Sequence, residues 1–293
     1  YCNIVCSAGN STLVNSKFDI SDTLAQIELV KYSNTEQAKK LALETLNVTL
    51  SNDDIRQQIQ LYEILGELEI ELANYQAAIT YYSTALSLSE ELNQPGLILD
   101  MLNLLTITFQ QNGQSAKAIE AVDRAIELSM DKKFPLKMGI ALQNKGRIFH
   151  IQGEYDSAFQ YFSKANDIYH SLDNKKMLAK LLDDQGNTAM VKGSYQEATQ
   201  YFFRAINIHK DIDNKDGKAE INLDLGIVYS AMGELKLAEK YFLEAIVVNP
   251  IGRESVLRNA RVYFNLADLF SLSGDFDSAI LYSKKSIEAA SLY

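Results

Sequence analysis

The sequence predicts an all-α fold of about seven helical hairpins stacked in chain order. Three observations carry this. Gly113, Gly153, Gly193, Gly233 and Gly274 recur at spacings of 40, 40, 40 and 41 residues. Each is followed five residues later by alanine, at Ala118, Ala158, Ala198, Ala238 and Ala279. On both sides of each glycine, apolar residues return at intervals of three and four, the period of an amphipathic helix and not of a strand. A fixed period of this length decides the architecture before any single residue does.

The elements follow in order. Residues 1–16 open with YCNIVCSAGNS, which is apolar, uncharged and holds both cysteines, Cys2 and Cys6. This suits the tail of a secretory signal cleaved near Ala8, leaving a mature chain without cysteine and indifferent to redox compartment. Asn3, Ile4 and Val5 before Cys6 are not the small residues that a lipid anchor would need. Seven copies then occupy about 17–56, 57–96, 97–136, 137–176, 177–216, 217–257 and 258–293. In the first two, Ser33 and Ala73 hold the place of the glycine, and Ala38 and Ala78 that of the alanine.

The fourth copy shows the plan. MGIALQNKGRIFHIQG (138–153) puts Leu142, Gly146 and Phe149 on one helical face; after the turn, Tyr155, Ala158, Phe162 and Ala165 do the same. The turn glycine suits a left-handed helix end, where glycine meets little steric cost. LNQPG, LDNKK and IDNKD between copies stop one helix and cap the next. Pro95 and Pro135 fall at a first helical turn, where proline is tolerated. Gly66, Gly146, Gly186 and Gly226 lie inside first helices, at a cost of about 1 kcal/mol each relative to alanine. The expected reason is close approach of the alanine face of the second helix, with Tyr82, Phe162, Phe202 and Phe242 filling space towards the next copy. One hairpin cannot bury both its faces, and stacking does so.

Composition agrees. The 293 residues are 47% hydrophobic and 23% charged, with three prolines and no tryptophan. A formal net charge of −10, without a Lys/Arg cluster, disfavours a nucleic-acid partner. The apolar runs are too short to span a bilayer.

The stretch LDLGIVYSAMGELKLAEKYFLEAIVVNP (223–250) resembles a tetratricopeptide repeat in Leu225, Gly226, Tyr229, Gly233, Ala238, Phe242, Ala245 and Pro250. The resemblance is strong over 57–293 and weaker over 17–56, where Gln26 and Thr45 replace small residues. Thr106, Ser283 and Ser286 also depart from the pattern. A period of 40, against roughly 34 in the common form, resembles Rap-type quorum-sensing regulators and the sensor regions of bacterial membrane signalling proteins.

That resemblance implies a right-handed α-α superhelix whose concave wall is built from first helices. Its expected ligand-facing residues are Asn103, Gln110, Gln143, Arg147, His150, Lys180, Asp183, Asn187, Glu220, Asp224, Arg261 and Asn265, with Glu63, Glu67 and Asp268 at the ends. The implied partner is a protein or peptide in the groove. Some repeat proteins of this kind hold a C-terminal carboxylate with a lysine one turn before an asparagine; here Asp183 precedes Asn187, so that clamp is not expected. The acidic row Glu63, Glu67, Glu71 favours a ligand with some positive charge.

No catalytic motif, cofactor or metal site is expected. His150, His170 and His209 lack ligand spacing. Adjacent Asp183 and Asp184 diverge by about 100° on a helix, whereas Asp183 and Asp224 can face each other across neighbouring first helices. The resulting expectation is a peptide-binding scaffold, the exported, periplasmic sensor domain of a histidine kinase or diguanylate cyclase type protein, tethered to a membrane helix after Tyr293. The alternative is a cytoplasmic Rap-like regulator.

Overall fold

The computed structural model describes residues 20–291 apart from 32, 52–53, 131–132 and 248–252. The leader expected over 1–16, including Cys2 and Cys6, lies outside the described residues. Among the described residues, fourteen helices pair into seven hairpins: α1 (Ser21–Val30) with α2 (Thr35–Ser51), α3 (Ile55–Glu71) with α4 (Tyr75–Glu91), and α5 (Pro95–Gln111) with α6 (Ser115–Ser129). The series continues with α7 (Pro135–Ile151) and α8 (Tyr155–Ser171), then α9 (Lys175–Val191) and α10 (Tyr195–Asp211). It ends with α11 (Lys215–Ala231) and α12 (Leu235–Ala245), then α13 (Arg253–Ser273) and α14 (Phe276–Ala290).

The first helices from α3 onward end the same way. Gly153 takes a positive φ of 79°, and the amide of Glu154 then reaches back to the carbonyl of Phe149 at 2.9 Å, closing the helix end. Gly113, Gly193, Gly233 and Gly274 repeat the turn, and Ala73 adopts it at φ 58° without the freedom of glycine. Asn93, Asp173 and Asp213 take the same left-handed conformation between hairpins. Asn174 and Asn214 then cap the next helices by accepting from the amides of Met177 and Gly217. Pro95 and Pro135 stand at the first helical turn, as expected.

The interior glycines have a different reason from the one expected. A Cβ at Gly66, Gly146, Gly186 or Gly226 would overlap the ring of Tyr82, Phe162, Phe202 or Phe242 respectively. The aromatic ring of the same hairpin therefore lies on the glycine itself, and from there it also packs towards the next copy, as expected. The pairing explains the departures too. Where Thr106 replaces glycine, Val122 replaces the aromatic residue, so volume is exchanged across the pair.

Packing shows why the hairpins stack. One core joins Leu142, Phe162, Ala165 and Tyr169 of the fourth hairpin to Leu178 and Leu181 of the fifth. Another joins Ala198, Phe202 and Ala205 to Ile221, Leu225 and Val228 in the same manner. Each core needs the first helix of the next hairpin. Successive first helices α5, α7, α9, α11 and α13 also touch one another, which places them on the inner side of the bend.

Candidate functional site

The inner layer is laced by polar side chains running from one first helix to the next. Gln143 on α7 donates through Nε2 to Oδ2 of Asp184 on α9 at 2.5 Å. Arg147 Nε donates to both oxygens of the same carboxylate at 2.8 Å. Tyr169 supports Gln143 from behind, its hydroxyl donating to Oε1 at 2.8 Å. His150 Nδ1 lies 2.9 Å from Thr188 Oγ1, whose own proton goes to the backbone carbonyl of Asp184 at 2.7 Å. The Thr188 proton being spent, His150 Nδ1 is the donor and Nε2 is left as an acceptor. Burial lowers the pKa of His150, partly offset by Asp184, and favours that neutral ring.

Adjacent Asp183 and Asp184 do diverge, and to opposite neighbours. Asp184 turns to α7, while Asp183 turns to α11 and hydrogen-bonds Asp224. Asn187 Nδ2 donates to Asp183 Oδ1 at 2.9 Å, so this asparagine serves its own helix. Burial, then the charges of Asp184 and Glu220, push Asp183 up to about 7, against the opposing pull of Arg147. Asp224 is raised as well, by burial first and Asp183 second. Each of the two acids thus favours its protonated form more than a free carboxylate does.

Further along, Glu220 on α11 accepts from Arg258 Nε at 2.9 Å and from Arg261 at 3.0 Å, both on α13. Arg258 also reaches Asp216 at 3.1 Å. At the other end Glu63 rises to about 7 through burial and the neighbouring Glu67 and Asp100, against Lys137, which is itself paired with Asp100.

The structure sorts the expected ligand-facing residues. Gln110, Arg147 and His150 come together with Ile107, Gln111 and Ile151 around a groove of about 410 Å³ between α5 and α7. Three expectations are corrected. Asn103, Gln143 and Asp224 are 8%, 3% and 6% exposed, so they lie inside the inner layer and not on its open face. Short spacing between first helices encloses the side chains that point along the layer. Lys180 is exposed, and Asn265 donates to the carbonyl of Arg261 at 2.8 Å; neither joins the groove.

Sequence reasoning missed Asp184, Thr188 and Arg258, which carry the cross-helix bonds. Asp184 had a signal: it stands 40 residues from both Asn144 and Asp224, all polar at one phase. Arg258 had only its position one turn before Arg261.

Arg147 uses Nε for Asp184 and keeps its terminal N–H groups for a guest. Together with two amide side chains and an imidazole acceptor on a partly apolar floor, this is the surface of a protein- or peptide-binding repeat scaffold. The chain belongs to the tetratricopeptide repeat family, whose models match residues 59–92, 107–170, 176–246 and 260–291. It is 32% identical over 97 residues to the photosystem I assembly protein Ycf3 of Synechococcus sp. (strain CC9605), a match covering 33% of this chain and 54% of that protein. The chain thus spans about half the length of this curated relative. Among solved structures it is similar to aspartyl phosphate phosphatase F from Bacillus subtilis, with a TM-score of 0.68, 16% identity, and coverage of 92% of this chain and 68% of that one. A Rap protein complexed with competence and sporulation factor gives a TM-score of 0.65 at 15% identity, covering 92% of this chain and 73% of that one. At such identity these two matches show the fold alone. Among the described residues, no helix is long and apolar enough to cross a membrane.

Proposed function

We propose that this protein is the receiving module of a signalling protein and binds an extended peptide segment in the groove between α5 and α7, without transforming it. The observation that carries this is the convergence of Gln110, Arg147 and His150, from one turn of each of two helices, on one groove of about 410 Å³. An extended peptide offers carbonyls to the Arg147 N–H groups and the glutamine amides, and an N–H to His150 Nε2. The Rap protein with a bound factor has a similar fold, which supports the reading without supplying the ligand.

Peptide-array binding followed by fluorescence anisotropy tests this. Arg147→Ala and His150→Ala should each weaken a selected peptide at least tenfold, while Asn265→Ala on α13 leaves it unchanged. Equal loss in all three variants, or none in the first two, removes the groove from consideration. Export to the periplasm as part of a sensor protein is a separate element of the proposal, tested by fractionating cells that express the full gene.

A further inference from the structure

The seventh hairpin differs from the others on the face that points out of the stack. Ala38, Ala78, Ala118, Ala158, Ala198 and Ala238 are fully buried because the next first helix covers them, yet their counterpart Ala279 is partly exposed, and no described residue of α14 is buried. Phe264, Phe276, Ile280 and Ile287 are 66%, 66%, 55% and 70% exposed. On α14 the outward stripe Phe276, Ile280, Ser283, Ile287 has spacings of four, three and four, the seam of a knobs-into-holes helix pair. Beside it lies a hollow of about 410 Å³ between α13 and α14, with Ala267 and Ser283 among its lining. These are the positions that hold glycine and an aromatic ring in four other hairpins; with the ring gone, the space stays open.

We propose that this face docks the same face of a second copy about a two-fold axis, the two α14 helices antiparallel, each setting Ile280 into the hollow at Ala267 and Ser283 of the other. Charge selects this occupant. Exposed Asp268, Asp275 and Asp277 gather at the turn end of the hairpin, while exposed Lys284 lies in its far half beside the stripe, with Glu288 beyond it; Lys285 turns the other way, over the rings of Tyr263 and Tyr282. Antiparallel apposition sets the acidic end of one copy against Lys284 of the other. Elsewhere two chains of net charge −10 repel. The exposed apolar side chains amount to roughly 600 Å² per copy, near the 800 Å² or so per partner of a standard interface. The inference is independent of the peptide groove.

Sedimentation equilibrium of the 293-residue chain across roughly 1 to 100 μM, the range in which an interface of this size can associate, tests it. Wild type should dimerise. Ile280→Asp, at an exposed site, should weaken dimerisation at least tenfold with an unchanged far-ultraviolet circular dichroism spectrum. Asp277→Lys and Lys284→Asp should each weaken it several-fold, and the double variant should recover it. A wild type that stays monomeric throughout overturns the proposal and leaves the face to a different protein or a following segment of polypeptide. A dimer indifferent to Ile280→Asp overturns it too, and a double variant that is not rescued overturns the antiparallel arrangement.

Discussion

Asp224 and Asp183 are joined by a hydrogen bond that requires a proton on one of them, and the more enclosed Asp224 is the member that keeps it. The bond ties α9 to α11 in the inner layer, so the spacing of two hairpins depends on a titratable group. A raised acid pKa favours the protonated folded state. The stabilisation is complete below the unfolded value near 3.8 and is lost as pH rises through about 7. Glu63, also raised to about 7, acts in the same direction.

Asp224→Asn supplies a permanent donor where the proton sits. It should raise Tm at pH 8 by about 3 °C, the shift that roughly 1 kcal/mol gives in a domain of this size. At pH 4, close to the unfolded value of 3.8, most of the difference should vanish. Thermal melts at the two pH values check this, and an equal difference at both would show that the pair does not share a proton.

Gly186 lies under the ring of Phe202. Gly186→Thr should destabilise the chain by about 2 kcal/mol in urea titration, since overpacking outweighs the helix propensity regained. Adding Phe202→Val reproduces the natural pair Thr106 and Val122 and should restore at least half of the loss. Additive destabilisation in the double variant would refute the volume exchange.

Ala73 and Gly193 occupy equivalent turns with positive φ. Gly193→Ala should cost about 1 kcal/mol, because a Cβ is strained there. Ala73→Gly should run the other way, with a gain of about 0.5 kcal/mol after the larger entropy of the unfolded glycine chain is set against the strain removed. Chemical denaturation of both variants measures the pair, and the same sign in both would contradict the turn geometry.

Arg147 and Asp184 form the cross-helix bond beside the groove, with side chains 39% and 14% accessible. Asp184→Ala should destabilise by about 1–2 kcal/mol, since Gln143 and Arg147 lose their shared acceptor together. In an Arg147→Ala background the same change should cost less, and a double-mutant cycle reads the difference. Strict additivity would mean that the bond contributes nothing.

The period of Gly113 to Gly274 and the alanine five residues on determined, from sequence alone, the number of hairpins and their order, while the resemblance to tetratricopeptide repeats implied which helix of each pair lines the inner side. This information is local: a left-handed turn and a 3.6-residue stripe need no distant partner to be recognised. Only the tertiary structure decided that Gly146 answers to Phe162, that Asp184 serves Arg147 while Asp183 serves Asp224, and that Asn103, Gln143 and Asp224 are enclosed. Helical phase places all these side chains on the inner half of a first helix, but the neighbouring helix, 40 residues away in the chain, determines which remain open to a guest and which are sealed between helices.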